Sequence, residues 1–189
     1  MPALSRGPER ADRRVLRTRA ALRDAMLALM LRHGWDDITV QNLCAAANIG
    51  RSTFYIHFQS KEQLLEGSLD DLRRLLRAPP GAVDEAAPLA FAGGLVAHID
   101  EQRSLFRALI GRRSALPVQL RFQAMVLQLV EEDLARFIPA GWPREATSHY
   151  VAGAIVALLA WWVESGEAPG AAALEAQLRR LTLAAIGHA

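Results

Sequence analysis

The sequence predicts an all-α chain of about nine helices. Leu and Ala dominate its 189 residues while β-branched residues are scarce, a composition that suits helices better than sheets. Apolar residues recur at three- and four-residue spacing in segments closed by Gly or Pro, and only 13 Gly and 9 Pro are spread over the length. With 51% hydrophobic residues, the chain has material for one core, or for a small head joined to a larger body.

The first helix is expected from about Asp12 to His33, with Leu22, Met26, Leu29 and Met30 on one face and Gly34 as the residue that ends it. After the turn Trp35-Asp36-Asp37-Ile38, Thr39 can cap a second helix in which Val40, Leu43, Cys44 and Ala47 form a stripe. Asn48-Ile49-Gly50 breaks it, and Asn tolerates the left-handed conformation that a tight interhelical turn needs. A third short helix starts near Arg51, with Phe54 and Phe58 on one side and Arg51, Ser52, Thr53, Tyr55 and His57 on the others. Ser60-Lys61-Glu62-Gln63 reads as a capping box opening a fourth helix, along which Leu65, Leu69, Leu72 and Leu76 run until Pro79-Pro80-Gly81. Further helices are expected over about 84–101, 103–111, 116–138, 144–165 and 171–186. The domain division implied is a basic disordered arm over 1–11, a head over 12–65 and a helical body over 66–189, with the boundary inside the fourth helix.

The net charge of +2 conceals an asymmetry, since nearly half of the 22 basic residues fall within the first 65 positions, giving that segment a positive balance. Arg6, Arg10, Arg13, Arg14, Arg17 and Arg19 crowd its start. Such a concentration of guanidinium attracts a phosphate backbone, although a solvated tail reads equally well for residues 1–10 alone. The single cysteine, Cys44, leaves no intramolecular disulfide or thiolate zinc site and fits a reducing interior. No secretory signal is apparent, and the longest apolar run, Val151 to Val163, falls short of the roughly 18 residues of a membrane span. The expected compartment is the cytoplasm, with no membrane partner.

Two short helices joined by a three-residue turn, the second with polar groups facing outward, make a helix-turn-helix whose second helix fits the DNA major groove. Residues 39–61 resemble the DNA-binding signature of the tetracycline-repressor (TetR) family of bacterial transcription regulators. The most specific part is Thr53-Phe54-Tyr55-x-His57-Phe58-x-Ser60-Lys61 followed by Glu62, Leu64 and Leu65. The resemblance extends over about residues 12–77. Two departures stand out: Asn48 replaces a frequent Gly, and Gly50 replaces a frequent Ser or Thr as cap of the third helix, where Gly is weaker.

Reach and chemistry assign roles within this motif. Arg51 can grip guanine O6 and N7, and Gln41 can reach an adenine edge or a phosphate. Thr39, Ser52, Thr53, Tyr55 and His57 resemble the family's phosphate-contacting positions, Lys61 adds a point charge, and Ile56 is placed to touch a thymine methyl. Outside the motif, Arg51 would read as a solvated charge and His57 as a capping or core histidine. Cys44 lies with Leu43 and Val40 on the core side.

A helix-turn-helix monomer covers half a site, so a homodimer on a double-stranded, palindromic operator is expected. Residues 150–163 are apolar nearly all round. That fits a dimer interface with the last helix, formed by Tyr150, Ala154, Leu158, Trp161, Trp162, Leu178 and Leu181, or a central helix of a monomer. The resemblance implies a pocket for a small-molecule effector among the middle helices. Phe91, His98, Phe106, Phe122 and Met125 are the candidates, a stripe that reads equally as plain core.

No cofactor or metal is expected, since no second ligand recurs at a suitable spacing around His98. The chain has no phosphate-cradling glycine loop, nucleophile elbow or H-E-x-x-H, and Glu131-Glu132-Asp133 reads as a solvated face, so it is not expected to be an enzyme. The expected function is a DNA-binding transcriptional regulator, a repressor by default, released by a small molecule. The alternatives are a helical protein-interaction adaptor, or an activator without an inducer.

Overall fold

The computed structural model describes residues 7–77, 88–111 and 115–187, with side chains from residue 13 onward. Among the described residues there are nine helices and no strand: α1 Gly7–His33, α2 Val40–Ala46, α3 Arg51–His57, α4 Lys61–Arg77, α5 Ala92–Glu101, α6 Arg103–Ile110, α7 Leu116–Leu134, α8 Arg144–Glu164 and α9 Ala171–Ala185. The chain divides into two compact units, Met1–Ser68 and Leu69–Ala189, and the division falls inside α4.

In the first unit α1 packs on α2 and α2 on α3. Leu22, Met26, Leu29 and Met30 of α1 are buried, as are Leu43 and Cys44 of α2, Phe54 of α3, Phe58, and Leu64 and Leu65 of α4; Val40 is only half-buried. α1 starts at Gly7, within the stretch expected to be a disordered arm, because a proline at the second position occupies a first turn whose amides have no helical partner. The first six residues of that arm, the Pro79-Pro80-Gly81 stop and the expected helix start at 84 lie outside the described residues.

The second unit is built on α7, α8 and α6, which pack on one another, with α9 against α5 and α8. Its interior is Phe106, Phe122, Leu129, Val130, Leu159 and Trp162, all at or below 1% exposure. α7 ends at Leu134 rather than near 138, and a turn closed by the bond from the Phe137 amide to the Leu134 carbonyl (2.8 Å) precedes Pro139. α8 has 21 residues and is, by length and composition alone, long and apolar enough to cross a membrane. That exceeds the 13-residue run because uncharged Thr147, Ser148 and Tyr150 extend the helix; in the body its Val151, Ile155, Leu159 and Trp162 are buried.

The Glu131-Glu132-Asp133 run is a solvated face only in part, since Glu131 and Glu132 are exposed and Asp133 is not. Asp133 is 5% exposed, accepts from Arg77, and lies 3.4 Å from the Phe91 amide. Glu132 pairs with Arg73 and, at 2.7 Å, with Arg77, which also donates to the Leu129 carbonyl (3.0 Å). Two acids of α7 thus hold the last turns of α4.

Candidate functional site

The head's outward surface is set by how its short helices are capped. Thr39 is extended (φ −115°), its hydroxyl accepts from the Asn42 amide (3.2 Å), and Asn42 Oδ1 accepts from the Thr39 amide (2.6 Å). This is a capping box with Asn in the place of Glu or Gln. The Thr39-x-x-Asn42 spacing carries that signal in the sequence. Because the Thr39 hydroxyl also donates to Asn42 Oδ1 (2.6 Å), it is occupied within the head.

α2 ends at Ala46 with Ala47 as its C-cap, and Asn48 takes the left-handed conformation (φ 53°) expected of it. Gly50 then starts α3 without a side-chain cap. A helix of seven residues has little stability of its own. It is held by Phe54 and Phe58, whose ring centroids are 6.1 Å apart, with Tyr55 edge-on to Phe54 at 5.4 Å. With those two phenylalanines buried, Arg51, Ser52, Tyr55 and Ile56 point outward and Thr53 and His57 are half-buried. Ile56 is 78% exposed, an apolar side chain that the fold does not use. Arg51 has no ion-pair partner among the described residues, and Gln41 is exposed at the start of α2.

The structure therefore gathers Gln41, Arg51, Ser52, Tyr55 and Ile56 on the exposed parts of two adjacent short helices and places Lys61 differently. The Lys61 ammonium donates to the Trp35 and Ile38 carbonyls, each at 2.9 Å, and lies 4.7 Å from the centre of the Trp35 ring. It closes the turn between α1 and α2 and has one N–H left, a role the sequence alone did not indicate. The box at α4 also differs in detail: Ser60 Oγ accepts from the Gln63 amide (3.3 Å), but Gln63 reaches back to the Gln59 amide (2.6 Å) rather than to Ser60. Burial pushes the Cys44 thiol above its usual range, and nearby Arg51 partly offsets this.

In the body, none of the expected effector residues lines either of two concavities among the described residues. Phe91, Phe106, Phe122 and Met125 are buried, and His98 is edge-on to Phe106 at 5.7 Å, itself edge-on to Phe122 at 5.9 Å. A concavity of about 460 Å³ lies instead between the end of α6, α7 and α8.

The expected dimer residues separate into three groups. Tyr150, Ala154, Leu158, Leu178 and Leu181 line one apolar groove between α8 and α9, of about 370 Å³. Trp161 faces the other concavity. Trp162 is core: its indole donates to the Pro169 carbonyl (2.7 Å) and Arg103 lies 4.5 Å over its ring, so it is not a surface residue.

Residues 22–67 match the sequence profile of bacterial regulatory proteins of the tetR family. The chain is 43% identical over 56 residues to the uncharacterized HTH-type transcriptional regulator YxbF of Bacillus subtilis (strain 168), covering 29% of this chain and 15% of that protein. It is 31% identical over 108 residues to the HTH-type transcriptional regulator TcmR of Streptomyces glaucescens, covering 56% of this chain and 43% of TcmR. The chain thus spans less than half the length of these curated relatives. A solved TetR transcriptional regulator from Streptococcus agalactiae 2603V shares its fold over 93% of this chain and 99% of that one, with a TM-score of 0.70 and 22% identity.

Proposed function

We propose that this chain, whose head belongs to the tetR family of bacterial regulatory proteins, is a transcriptional regulator that binds a palindromic operator as a homodimer and is released by a small molecule. The observation that carries the reading is α3 itself: Arg51, Ser52, Tyr55 and Ile56 face outward from a helix whose other side is locked into the core by Phe54. A helix presented in this way enters the major groove. Arg51 reads a guanine and Gln41 an adenine edge, Ile56 meets a thymine methyl, and Ser52, Thr53, Tyr55 and His57 hold phosphates. Thr39 and Lys61, with donors engaged inside the head, fix the position of α2 and the turn before it, and the remaining N–H of Lys61 is available to a phosphate.

A second copy of the chain covers the groove formed by Tyr150, Ala154, Leu158, Leu178 and Leu181. The proposed switch is a population shift in which effector binding favours a body arrangement that moves α4 and changes the separation of the two recognition helices. The ion pairs of Arg73 and Arg77 with α7 support a coupling of this kind, because they tie the end of α4 to the body while its first residues belong to the head.

Selection of duplexes from random DNA with the full chain, followed by binding at several salt concentrations, tests the reading. Wild type should enrich one sequence with two half-sites, and Arg51→Ala should lose about 1–3 kcal/mol and relax preference at one base position. Failure to enrich any sequence, or Arg51→Ala binding as tightly and selectively as wild type, would overturn it.

A further inference from the structure

The concavity between α6, α7 and α8 is used neither by the core nor by the proposed DNA and dimer surfaces. At about 460 Å³ it is within the size range of small-molecule sites. Gly153, Ala157 and Ala160 line it from α8, spaced so that they share one helix face, and side chains this small make a flat floor. Trp161, 51% exposed, and Glu164 line it as well. Gln123 lines it from α7, half-buried, and its carboxamide has no hydrogen-bond partner among the described residues. The neighbouring Gln119 is occupied, donating to the Gly111 carbonyl (3.3 Å).

We propose that this concavity is the effector site and that its ligand is a neutral, planar ring compound carrying a hydroxyl or carbonyl group; the assignment rests on the ligand-released regulator proposed above. A flat floor and an indole suit a ring system better than a flexible chain. Mostly apolar walls would strip water from an anionic ligand without replacing it, and the Glu164 carboxylate that also lines the concavity repels it. The Gln123 carboxamide supplies one donor group and one acceptor to orient a single polar substituent.

Calorimetry on the full chain with 2-naphthol, 2-naphthoate and 1-octanol as probes tests the assignment. The expected result is one 2-naphthol site per chain, with naphthoate and octanol at least tenfold weaker. Gly153→Leu is the blocking variant, because a Cβ at Gly153 meets nothing within 4 Å and a larger side chain can grow into the space without displacing its neighbours. It should weaken naphthol at least tenfold with an unchanged circular dichroism spectrum, and Gln123→Met should weaken it several-fold. Absence of naphthol binding, equal binding to Gly153→Leu, or tighter binding of octanol or naphthoate would overturn the site or its ligand class.

The selected duplex then separates the two levels of the proposal. Saturating naphthol should lower DNA affinity in wild type and not in Gly153→Leu. Gly153-dependent naphthol binding that leaves DNA affinity unchanged would overturn the effector role and leave the ring site standing. A chain that enriches no DNA sequence refutes the regulator reading, while calorimetry still decides the cavity.

Discussion

Lys61→Met isolates what the ammonium does for the head. Methionine keeps a long apolar stem but removes both bonds, to the Trp35 and Ile38 carbonyls, together with the charge near the Trp35 ring. A hydrogen bond to a charged group contributes roughly 1.5–3 kcal/mol and an exposed cation–π contact about 0.5–1. Lys61 is half-buried, so water can replace part of this at the freed carbonyls, and the net loss should be about 2 kcal/mol. For a head of some sixty residues that is a large share of its stability. Amide hydrogen exchange read by mass spectrometry on peptides from α1 to α3 measures it directly: about 2 kcal/mol is a roughly 30-fold rise in the opening equilibrium. If those peptides exchange within threefold of wild type, the ammonium does not hold the turn. The salt dependence of DNA binding reports separately on the third N–H, because a lost phosphate contact lowers the slope by about one per protomer.

Three other substitutions or conditions probe the remaining claims. Asp133→Asn keeps an acceptor for the Phe91 amide but leaves Arg77 without its most buried partner; the body should lose about 2 kcal/mol in urea unfolding followed by circular dichroism, less than for a fully buried pair because Arg77 is partly exposed. Gly111→Ala should destabilise the body by about 1–3 kcal/mol, since its Cβ would overlap the Arg107 carbonyl and the Glu164 carboxylate, and a melting temperature unchanged from wild type would contradict the close packing there. Cys44 should alkylate more slowly than a free thiol at mildly alkaline pH, as its raised pKa keeps it protonated. The sign of the linkage is fixed by the same shift: above the ordinary thiol range the unfolded chain releases the proton first, so the Cys44 contribution to stability falls as pH rises, and Cys44→Ala should remove that part of the decline.

The helices were legible because their signals are short-range: Gly34, the Thr39 cap and the left-handed Asn48 act within four residues of themselves, and the backbone obeys them. Lys61, Glu132 and Asp133 were not, because a charged side chain on a helix reads as solvated until the group opposite it is known, and those groups stand 23 to 59 residues away in the chain. The motif could place Lys61 beside DNA, but only packing shows that two carbonyls reach it first. Space follows the same logic. Phe106 and Phe122 are pocket candidates through the family resemblance, which implies an apolar site among the middle helices; they are buried and packed edge-on, whereas Gly153 and Ala157 line an open concavity and carry no chemical signal. On α8 the difficulty is phase. An apolar stripe tells a helix which side is inward, but α8 is apolar all round, and adjacent residues differ by about 100° in direction. Trp161 and Trp162 therefore had equal claims on the dimer surface, and the packing of α6 and α7 against α8 sends one to the cavity and the other to the core.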